Sequence, residues 1–144
     1  MQKTEFNAYH KVRGYECDFY GHANNATYLN YLEYARGELL IEAGLSLPKL
    51  KEEGISIVLR RVEITYRSPA KINDMLRICT TVASFSRVTC TFHQEIFRES
   101  DDVLVAEADV TWTVINAAGR PMRLPEVIRE ALALTDSPEN TVRN

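Results

Sequence analysis

The residues with the clearest chemical potential lie in the stretch DFYGHANNATY, residues 18–28. It begins with a lone carboxylate, Asp18, and ends in the first turn of a predicted helix. A carboxylate can attack a carbonyl carbon or activate water for that attack. The N–H groups at the start of a helix lack intrahelical partners, and the helix dipole favours negative charge there. The amides near Asn24 and Asn25 could therefore stabilise an oxyanion that forms at that carbon.

The same residues also have a purely structural interpretation. Aspartate and asparagine are preferred at helix N-caps, so Asp18, Asn24 and Asn25 could simply begin the helix. His22 lies in a turn, where a histidine is more often a hydrogen-bonding residue than a proton shuttle. Taken alone, the local sequence favours the interpretation of these residues as a helix cap.

A long helix follows this stretch. Leu32, Ala35, Leu39 and Ala43 recur at spacings of three and four, which predicts one apolar face. Gly44 is predicted to end the helix. A short second helix is expected to begin at Ser46-Leu47-Pro48 and to end at Gly54.

The rest of the chain is mostly strand-like. We predict five strands, at residues 6–15, 55–67, 75–85, 88–98 and 106–114, and a terminal helix at 125–134. The apolar alternation slips near Leu59 and Arg60, which indicates a bulge or a strand shared with a partner. A long helix with one apolar face must be covered by a sheet. The predicted fold class is therefore α+β, a five-stranded antiparallel sheet wrapped around a central helix.

Composition limits the class of protein. The 144 residues fit one domain, 1–144, with a core at about 5–134 and a C-terminal tail, 136–144, that is expected to be disordered. A net charge of −3 argues against nucleic-acid binding, which usually requires a basic stripe. Three cysteines without a CxxC pair argue against disulfides and a zinc site. The N-terminus has no signal-peptide pattern, and no apolar run reaches 18 residues, so we expect a cytoplasmic protein without a membrane span.

The motif Asp18-x-x-Gly21-His22-x-Asn24-Asn25-x-x-Tyr28 resembles the signature of the hot-dog fold acyl-CoA thioesterases. The most similar branch is the 4-hydroxybenzoyl-CoA thioesterase-like one. The order of elements and the segment Tyr66-x-Ser68-Pro69-Ala70 agree with this resemblance, which covers roughly residues 5–130. Many bacterial members have a histidine where Ala26 stands here; His22 instead matches members with a Gly-His-x-Asn-Asn version.

The resemblance implies hydrolysis of an acyl-CoA thioester to free acid and CoA. In this interpretation Asp18 is the nucleophile or the general base, the backbone amide of Asn25 polarises the thioester carbonyl, and His22 is a third catalytic candidate. The candidate substrate-binding residues in this motif and in the segment 66–70 are Gly21, Asn24, Tyr28 and Ser68. By residue type, the arginines Arg60, Arg61, Arg67 and Arg87 could hold the phosphates of CoA, and Arg87 is favoured by its position in a turn between strands. Water is the second substrate, and no metal or other cofactor is implied. The family also implies a homodimer or a dimer of dimers with the site at the subunit interface.

Several alternatives stay open at this point. A hot-dog protein could bind acyl-CoA or acyl carrier protein without catalysis, or it could hydrolyse acyl groups carried by acyl carrier protein. Another branch of the family uses an acid on the central helix, where Glu33 and Glu38 lie. Cys17 adjoins Asp18, so a thiol nucleophile is a further possibility.

Overall fold

The computed structural model describes residues 5–135. Its helices are α1 (Asn25–Glu42), α2 (Leu47–Glu52) and α3 (Glu126–Ala131). Its strands are β1 (Glu5–Lys11), β2 (Ser56–Tyr66), β3 (Met75–Phe85), β4 (Thr89–Arg98), β5 (Val103–Ile115) and β6 (Pro121–Met122). A short 3₁₀ turn, Gly14–Glu16, follows β1. The predicted tail, 136–144, lies outside the described residues.

The strands form one antiparallel sheet in the order β1-β3-β4-β5-β2, and β6 pairs with the end of β5. In β5 the side chains of Ala106, Ala108, Val110, Trp112 and Val114 are buried on the inner face, as the alternation predicted. The pairing of β2 with β5 shifts between Leu59 and Arg61, so Arg60 is the extra residue of a bulge. This confirms the bulge that the slip in alternation indicated.

Helix α1 lies against the inner face of the sheet. Leu32, Ala35 and Leu39 are buried there, as their spacing predicted. Buried Gln94 of β4 donates a hydrogen bond from Nε2 to the backbone oxygen of Leu32 (3.2 Å), which ties the sheet to the helix. The predicted α+β fold with a wrapped central helix is confirmed.

Both ends of α1 follow local rules. Asn24 is the N-cap, and its Oδ1 accepts a hydrogen bond from the Ala26 amide at 2.9 Å. At the other end Gly44 adopts φ +82°, and the amide of Leu45 donates to the oxygen of Leu40. Gly44 thus ends the helix, because the left-handed conformation it adopts carries no steric penalty for glycine.

Some elements differ from the sequence prediction; β5, for example, begins at Val103 rather than at residue 106. β1 ends at Lys11 rather than at residue 15, because the chain turns into the 3₁₀ segment. α3 ends at Ala131, three residues early. The two-residue strand β6 follows the turn at 116–120 and makes a sixth strand, which was not predicted. None of the helices formed by residues 5–135 is long and apolar enough to cross a membrane.

Candidate active site

The segment from Cys17 to Ala23 forms a tight loop, because its two ends pair with each other. Cys17 and Ala23 make an isolated antiparallel bridge, and the amide of Asp18 donates to the oxygen of His22 at 2.8 Å. Gly21 adopts φ +80° and donates its amide to the oxygen of Asp18. A side chain at that position would strain the turn, so glycine is needed there.

Asp18 has an exposed side chain in this loop. Its Oδ1 accepts hydrogen bonds from the amides of Tyr20 (2.9 Å) and His22 (3.2 Å). Its Oδ2 accepts none from residues 5–135. One oxygen therefore fixes the carboxylate within the loop, and the other is left to meet a reactant. Because the cap of α1 is Asn24, the interpretation of Asp18 as a helix cap is wrong.

The N-terminus of α1 provides one unengaged amide next to this loop. The N–H of Asn24 donates to the oxygen of Glu16 at 2.9 Å, and the N–H of Ala26 donates to the Asn24 side chain. The N–H of Asn25 makes no hydrogen bond within the described part of the chain. Of the two amides that the sequence singled out, only that of Asn25 is available to a ligand.

A cavity of about 300 Å³ brings these groups together. It is lined by Asp18, His22, Ala23, Asn25, Tyr28, Tyr66, Arg67, Ser68 and Pro69. Five residues that the sequence analysis proposed, Asp18, His22, Asn25, Tyr28 and Ser68, thus share one cavity. The loop before α1 and the loop after β2 form its walls.

Two tyrosines form one side of this cavity. The hydroxyl of Tyr28 accepts a hydrogen bond from the amide of Ala70 at 3.0 Å, and Tyr66 donates its hydroxyl to the oxygen of Asn25 at 3.2 Å. Their rings meet edge to face, with centroids 5.2 Å apart. Burial raises the pKa of Tyr28 above its ordinary value, so this phenol stays protonated. Together these contacts connect the loop after β2 to the first turn of α1.

The other proposed binding residues lie outside the cavity of their own chain. Gly21 and Asn24 shape the loop and the helix cap. Arg60 lies in the β2 bulge, six residues and roughly 20 Å along the strand from Tyr66. Arg87 lies beyond Phe85, at the far end of β3, roughly 30 Å from the end that follows Ser68 and Pro69. Within one chain, Arg60 and Arg87 therefore do not line the cavity that Asp18 lines.

Arg67, one of the arginines considered for the CoA phosphates, is a sixth proposed residue in the cavity. Three cavity residues were not proposed, namely Ala23, Tyr66 and Pro69. Tyr66 and Pro69 belong to the segment that carried the resemblance, and that was the available signal. Arg67 is paired with Glu107, with Nη2 and Oε2 2.6 Å apart. Its guanidinium thus lies at the border between the cavity and the outer face of the sheet.

The other candidate nucleophiles, Cys17, Glu33 and Glu38, do not line this cavity. Cys17 packs against the buried core, and its Sγ is 3.6 Å from the oxygen of Arg13. Burial, reinforced by the charges of Asp18 and Glu16, raises the pKa of this thiol, which keeps it in the less reactive neutral form. Glu33 and Glu38 on α1 do not line the cavity.

A second group of acidic residues surrounds His93 on the outer face of the sheet; we call His93, Glu95, Glu107 and Asp109 the outer-face cluster. Ligand atoms of His93, Glu95 and Glu107 lie within 4.8 Å of one another. Among residues 5–135, this is the group of His, Cys, Asp or Glu side chains that lies close enough together to hold a metal ion. His93 Nδ1 is 2.9 Å from Asp109 Oδ1, and Glu107 is also paired with Arg67. These side chains lie outside the cavity that Asp18 lines; His93 is hydrogen-bonded to Asp109, and Glu107 to Arg67.

Comparison with known proteins identifies the family. The family model described as "Thioesterase-like superfamily" matches residues 12–132. The chain belongs to the thioesterase-like superfamily. The match spans the Asp18 loop, α1 and the four long strands β2 to β5, whereas β1 lies outside it, so the candidate site is inside the shared region.

Curated relatives agree with this assignment across most of their length. The chain is 34% identical over 123 residues to the long-chain acyl-CoA thioesterase FadM of Escherichia coli, covering 85% of this chain and 92% of the relative. It is 30% identical over 129 residues to the acyl-CoA thioester hydrolase YbgC of the same species, covering 89% and 96%. This chain is therefore a thioester hydrolase.

Solved structures show the same fold. Slr0204 of Synechocystis, a 1,4-dihydroxy-2-naphthoyl-CoA thioesterase, superposes with a TM-score of 0.85 at 21% identity, covering 93% of this chain and 99% of that one. A protein of Aquifex aeolicus, AQ1494, gives 0.82 at 29% identity, covering 88% and 98%. The hot-dog fold implied by the motif is confirmed.

Proposed function

We propose that this chain hydrolyses acyl-CoA thioesters in the cavity beside α1, with Asp18 as the reacting carboxylate. The observation that carries the proposal is that Asp18, with one oxygen unengaged, lines the same cavity as Asn25, the residue whose amide is unengaged. A thioesterase needs a base or nucleophile and a donor for the oxyanion within reach of one carbonyl. The FadM and YbgC relatives, whose names specify acyl-CoA, support the substrate class.

Asp18 can act in either of two ways. As a nucleophile, its carboxylate attacks the thioester carbon, the CoA thiolate leaves, and water hydrolyses the resulting anhydride to regenerate Asp18. As a general base, it takes a proton from water while the hydroxide attacks the same carbon and the thiolate leaves. In both routes the Asn25 N–H donates to the oxygen that becomes negative.

The remaining cavity residues have supporting roles in this proposal. Tyr28 and Tyr66 hold the first turn of α1 and form an aromatic wall along the acyl thioester. His22 lines the cavity close to Asp18 and is proposed to contact the reacting end of the substrate. Ser68 and Arg67 lie on the opposite wall, where polar groups of CoA can be bound. No metal or further cofactor takes part.

We further propose that the active form is a homodimer or a dimer of dimers. β2 is an edge strand, paired on one side with β5, and its other edge carries unpaired backbone groups. Pairing of this edge with a second copy would bring another chain next to Tyr66 and Arg67, which follow on from β2. A single domain over residues 1–144 and a cytoplasmic location complete the proposal.

A thiol-release assay tests the substrate class. The purified chain is given acyl-CoAs of short, long and aromatic acyl groups, and the signal of its own three cysteines is subtracted. We expect steady turnover with at least one acyl-CoA. Tight binding without thiol release would instead identify an acyl-CoA binding protein.

A parallel assay separates CoA from acyl carrier protein as the carrier. The alternative deserves this test because the chain is also 29% identical over 119 residues to the acyl-acyl carrier protein thioesterase ATL2 of Arabidopsis thaliana, covering 63% of that protein. With the same acyl group on both carriers, we expect higher kcat/KM for the CoA ester. Hydrolysis of the carrier-protein ester alone would reject the proposed substrate.

A further inference from the structure

Glu16 is a nearly buried carboxylate two residues before Asp18, with its side chain 11% exposed. It accepts hydrogen bonds from the amide of Arg13 (2.8 Å), the hydroxyl of Tyr31 (2.9 Å) and Nε2 of His10 (2.9 Å). His10 belongs to β1 and Tyr31 to α1. One side chain therefore joins the end of β1, the 3₁₀ turn and the central helix.

The backbone of Glu16 closes the base of the Asp18 loop. Its oxygen accepts hydrogen bonds from the amide of Asn24 (2.9 Å) and from the hydroxyl of Thr27 (3.4 Å). Glu16 directly precedes the loop 17–23, and Asn24 directly follows it. The backbone of Glu16 thus ties the base of the Asp18 loop to the first turn of α1, and the side chain of Glu16 fixes this same residue in place.

We propose that Glu16 is a positioning residue for hydrolysis, one that fixes Asp18 relative to the Asn25 amide. The inference rests on the proposed role of Asp18. Glu16 does not line the cavity with Asp18; it lines a separate one with His10 and Tyr31, so it acts through the loop and not on the substrate. Misplacement of a reacting group by about 1 Å can lower a rate roughly 10²-fold, so such a clamp has a measurable effect.

The ionisation states of Glu16 and Tyr31 allow their hydrogen bond to persist at neutral pH. Burial opposes ionisation of Glu16, but the hydrogen bonds from Arg13, His10 and Tyr31 outweigh it, and its pKa lies below the ordinary value. Burial and the contact with Glu16 both raise the pKa of Tyr31. At neutral pH the carboxylate is therefore an acceptor and the phenol remains a donor.

The test combines Glu16→Ala with Asp18→Asn and measures kcat, KM and affinity for a non-hydrolysable acyl-CoA analogue. We expect Glu16→Ala to lower kcat by about 10- to 10²-fold, while KM and analogue affinity change by less than about threefold because the cavity walls remain. In the Asp18→Asn background the same substitution should lower the residual rate by less than about threefold, since the group that it positions is already gone. In Glu16→Gln the side-chain amide oxygen can still accept hydrogen bonds from the amide of Arg13 and the hydroxyl of Tyr31. We therefore expect this variant to keep most of the wild-type kcat.

Asp109→Ala is the matched control, because it removes a carboxylate–histidine contact of the same 2.9 Å length on the outer face. Its kcat should stay within about twofold of wild type. If Glu16→Ala does not fold, Tyr31→Phe removes one hydroxyl and keeps the ring, and we expect a smaller loss of kcat with the same unchanged KM.

The outcomes separate this inference from the proposed function. A slow Asp18→Asn variant together with wild-type kcat in Glu16→Ala and Tyr31→Phe would reject the role of Glu16 alone. A Glu16→Ala loss of equal size in both backgrounds would also reject it, since Glu16 would then act independently of Asp18. Wild-type turnover in Asp18→Asn would reject the proposed role of Asp18, and the positioning role with it.

Discussion

The Asp18 loop and the outer-face cluster both combine histidine with carboxylates, yet their surroundings differ. In the outer-face cluster the side chains project from two straight strands, and His93 and Asp109 are directly opposite each other in the β4–β5 pairing. There His93 is paired with Asp109, and Glu107 is paired with Arg67. In the loop, Asp18 is held by one oxygen only, beside a helix N-terminus with an unengaged amide. Residue type alone therefore does not distinguish a candidate reaction centre; Asp18 is distinguished by a fixed but incompletely paired carboxylate near an unengaged amide.

Apart from Asp18→Asn, the largest effect on turnover is expected from Asn25→Pro, which tests the proposed oxyanion donor in this comparison. Proline is favoured in the first turn of a helix, and this substitution removes the backbone N–H together with the asparagine side chain. Asn24 already has the extended conformation (ψ 143°) that a following proline requires. If the Asn25 amide stabilises the oxyanion, kcat should fall by about 10²–10³-fold with little change in the thermal midpoint. Steady-state kinetics and calorimetry measure the two quantities.

Asn25→Ala is the control for that substitution, because it removes the side chain and keeps the N–H. It should turn over within a few-fold of wild type. If the proline and alanine variants have the same kcat, the amide has no role in the reaction.

A smaller effect, on stability and not on turnover, is expected from Asp109→Asn in the outer-face cluster. Burial opposes protonation of His93, but the hydrogen bond and charge of Asp109, with the charges of Glu95 and Glu107, outweigh it and raise the pKa. A raised pKa stabilises the folded state below the ordinary pKa of about 6.5, and this contribution is lost as the pH rises through the raised value. Asp109→Asn should therefore lower stability most near pH 6, by less than about 1 kcal/mol because the pair is half-exposed, and hardly at pH 9.

Thermal midpoints of wild type and Asp109→Asn across that pH range provide the measurement. Turnover at a fixed pH should be the same for both proteins. A difference in midpoint that grows towards pH 9 would show that the sign assigned to His93 is wrong.

The smallest effect is expected from Cys17→Ser, within the loop itself. The thiol packs against the core and has a raised pKa, which keeps it in the neutral form. We expect kcat to stay within about twofold of wild type, since the proposed reacting carboxylate, Asp18, is untouched. Loss of hydrolysis in a variant with an unchanged thermal midpoint would transfer the nucleophilic role from Asp18 to the thiol.

Local signals in the sequence were sufficient for much of the fold. The apolar spacing in α1, the glycine that ends it and the alternation in β5 depend on neighbouring residues, and the structure has all three. The slip at Arg60 likewise reflects the local alternation of one strand, and it corresponds to an observed bulge. The order of these elements together with the Asp18 motif was enough to identify the hot-dog fold.

Features that depend on distant contacts were not predictable in the same way. β1 ends early because Glu16, in the turn that follows, is bound to Tyr31, 15 residues along the chain. Arg60 was proposed from its type and Arg87 also from its place in a turn between strands, but neither lines the cavity with Asp18. Tyr66 and Arg67 line the cavity because the loop after β2 folds against α1, through the contact between Ala70 and Tyr28. No local pattern specifies that approach.

The role of Asp18 is tested most directly by Asp18→Asn, measured both for turnover and for affinity to a non-hydrolysable acyl-CoA analogue. Asparagine keeps the size of the side chain and an oxygen that can accept from the amides of Tyr20 and His22, but it can neither attack a thioester nor take a proton from water. We predict a fall in kcat of at least about 10²–10⁴-fold and analogue affinity within a few-fold of wild type. An Asp18→Asn variant that turns over within a few-fold of wild type would contradict the assignment of Asp18 as the reacting carboxylate.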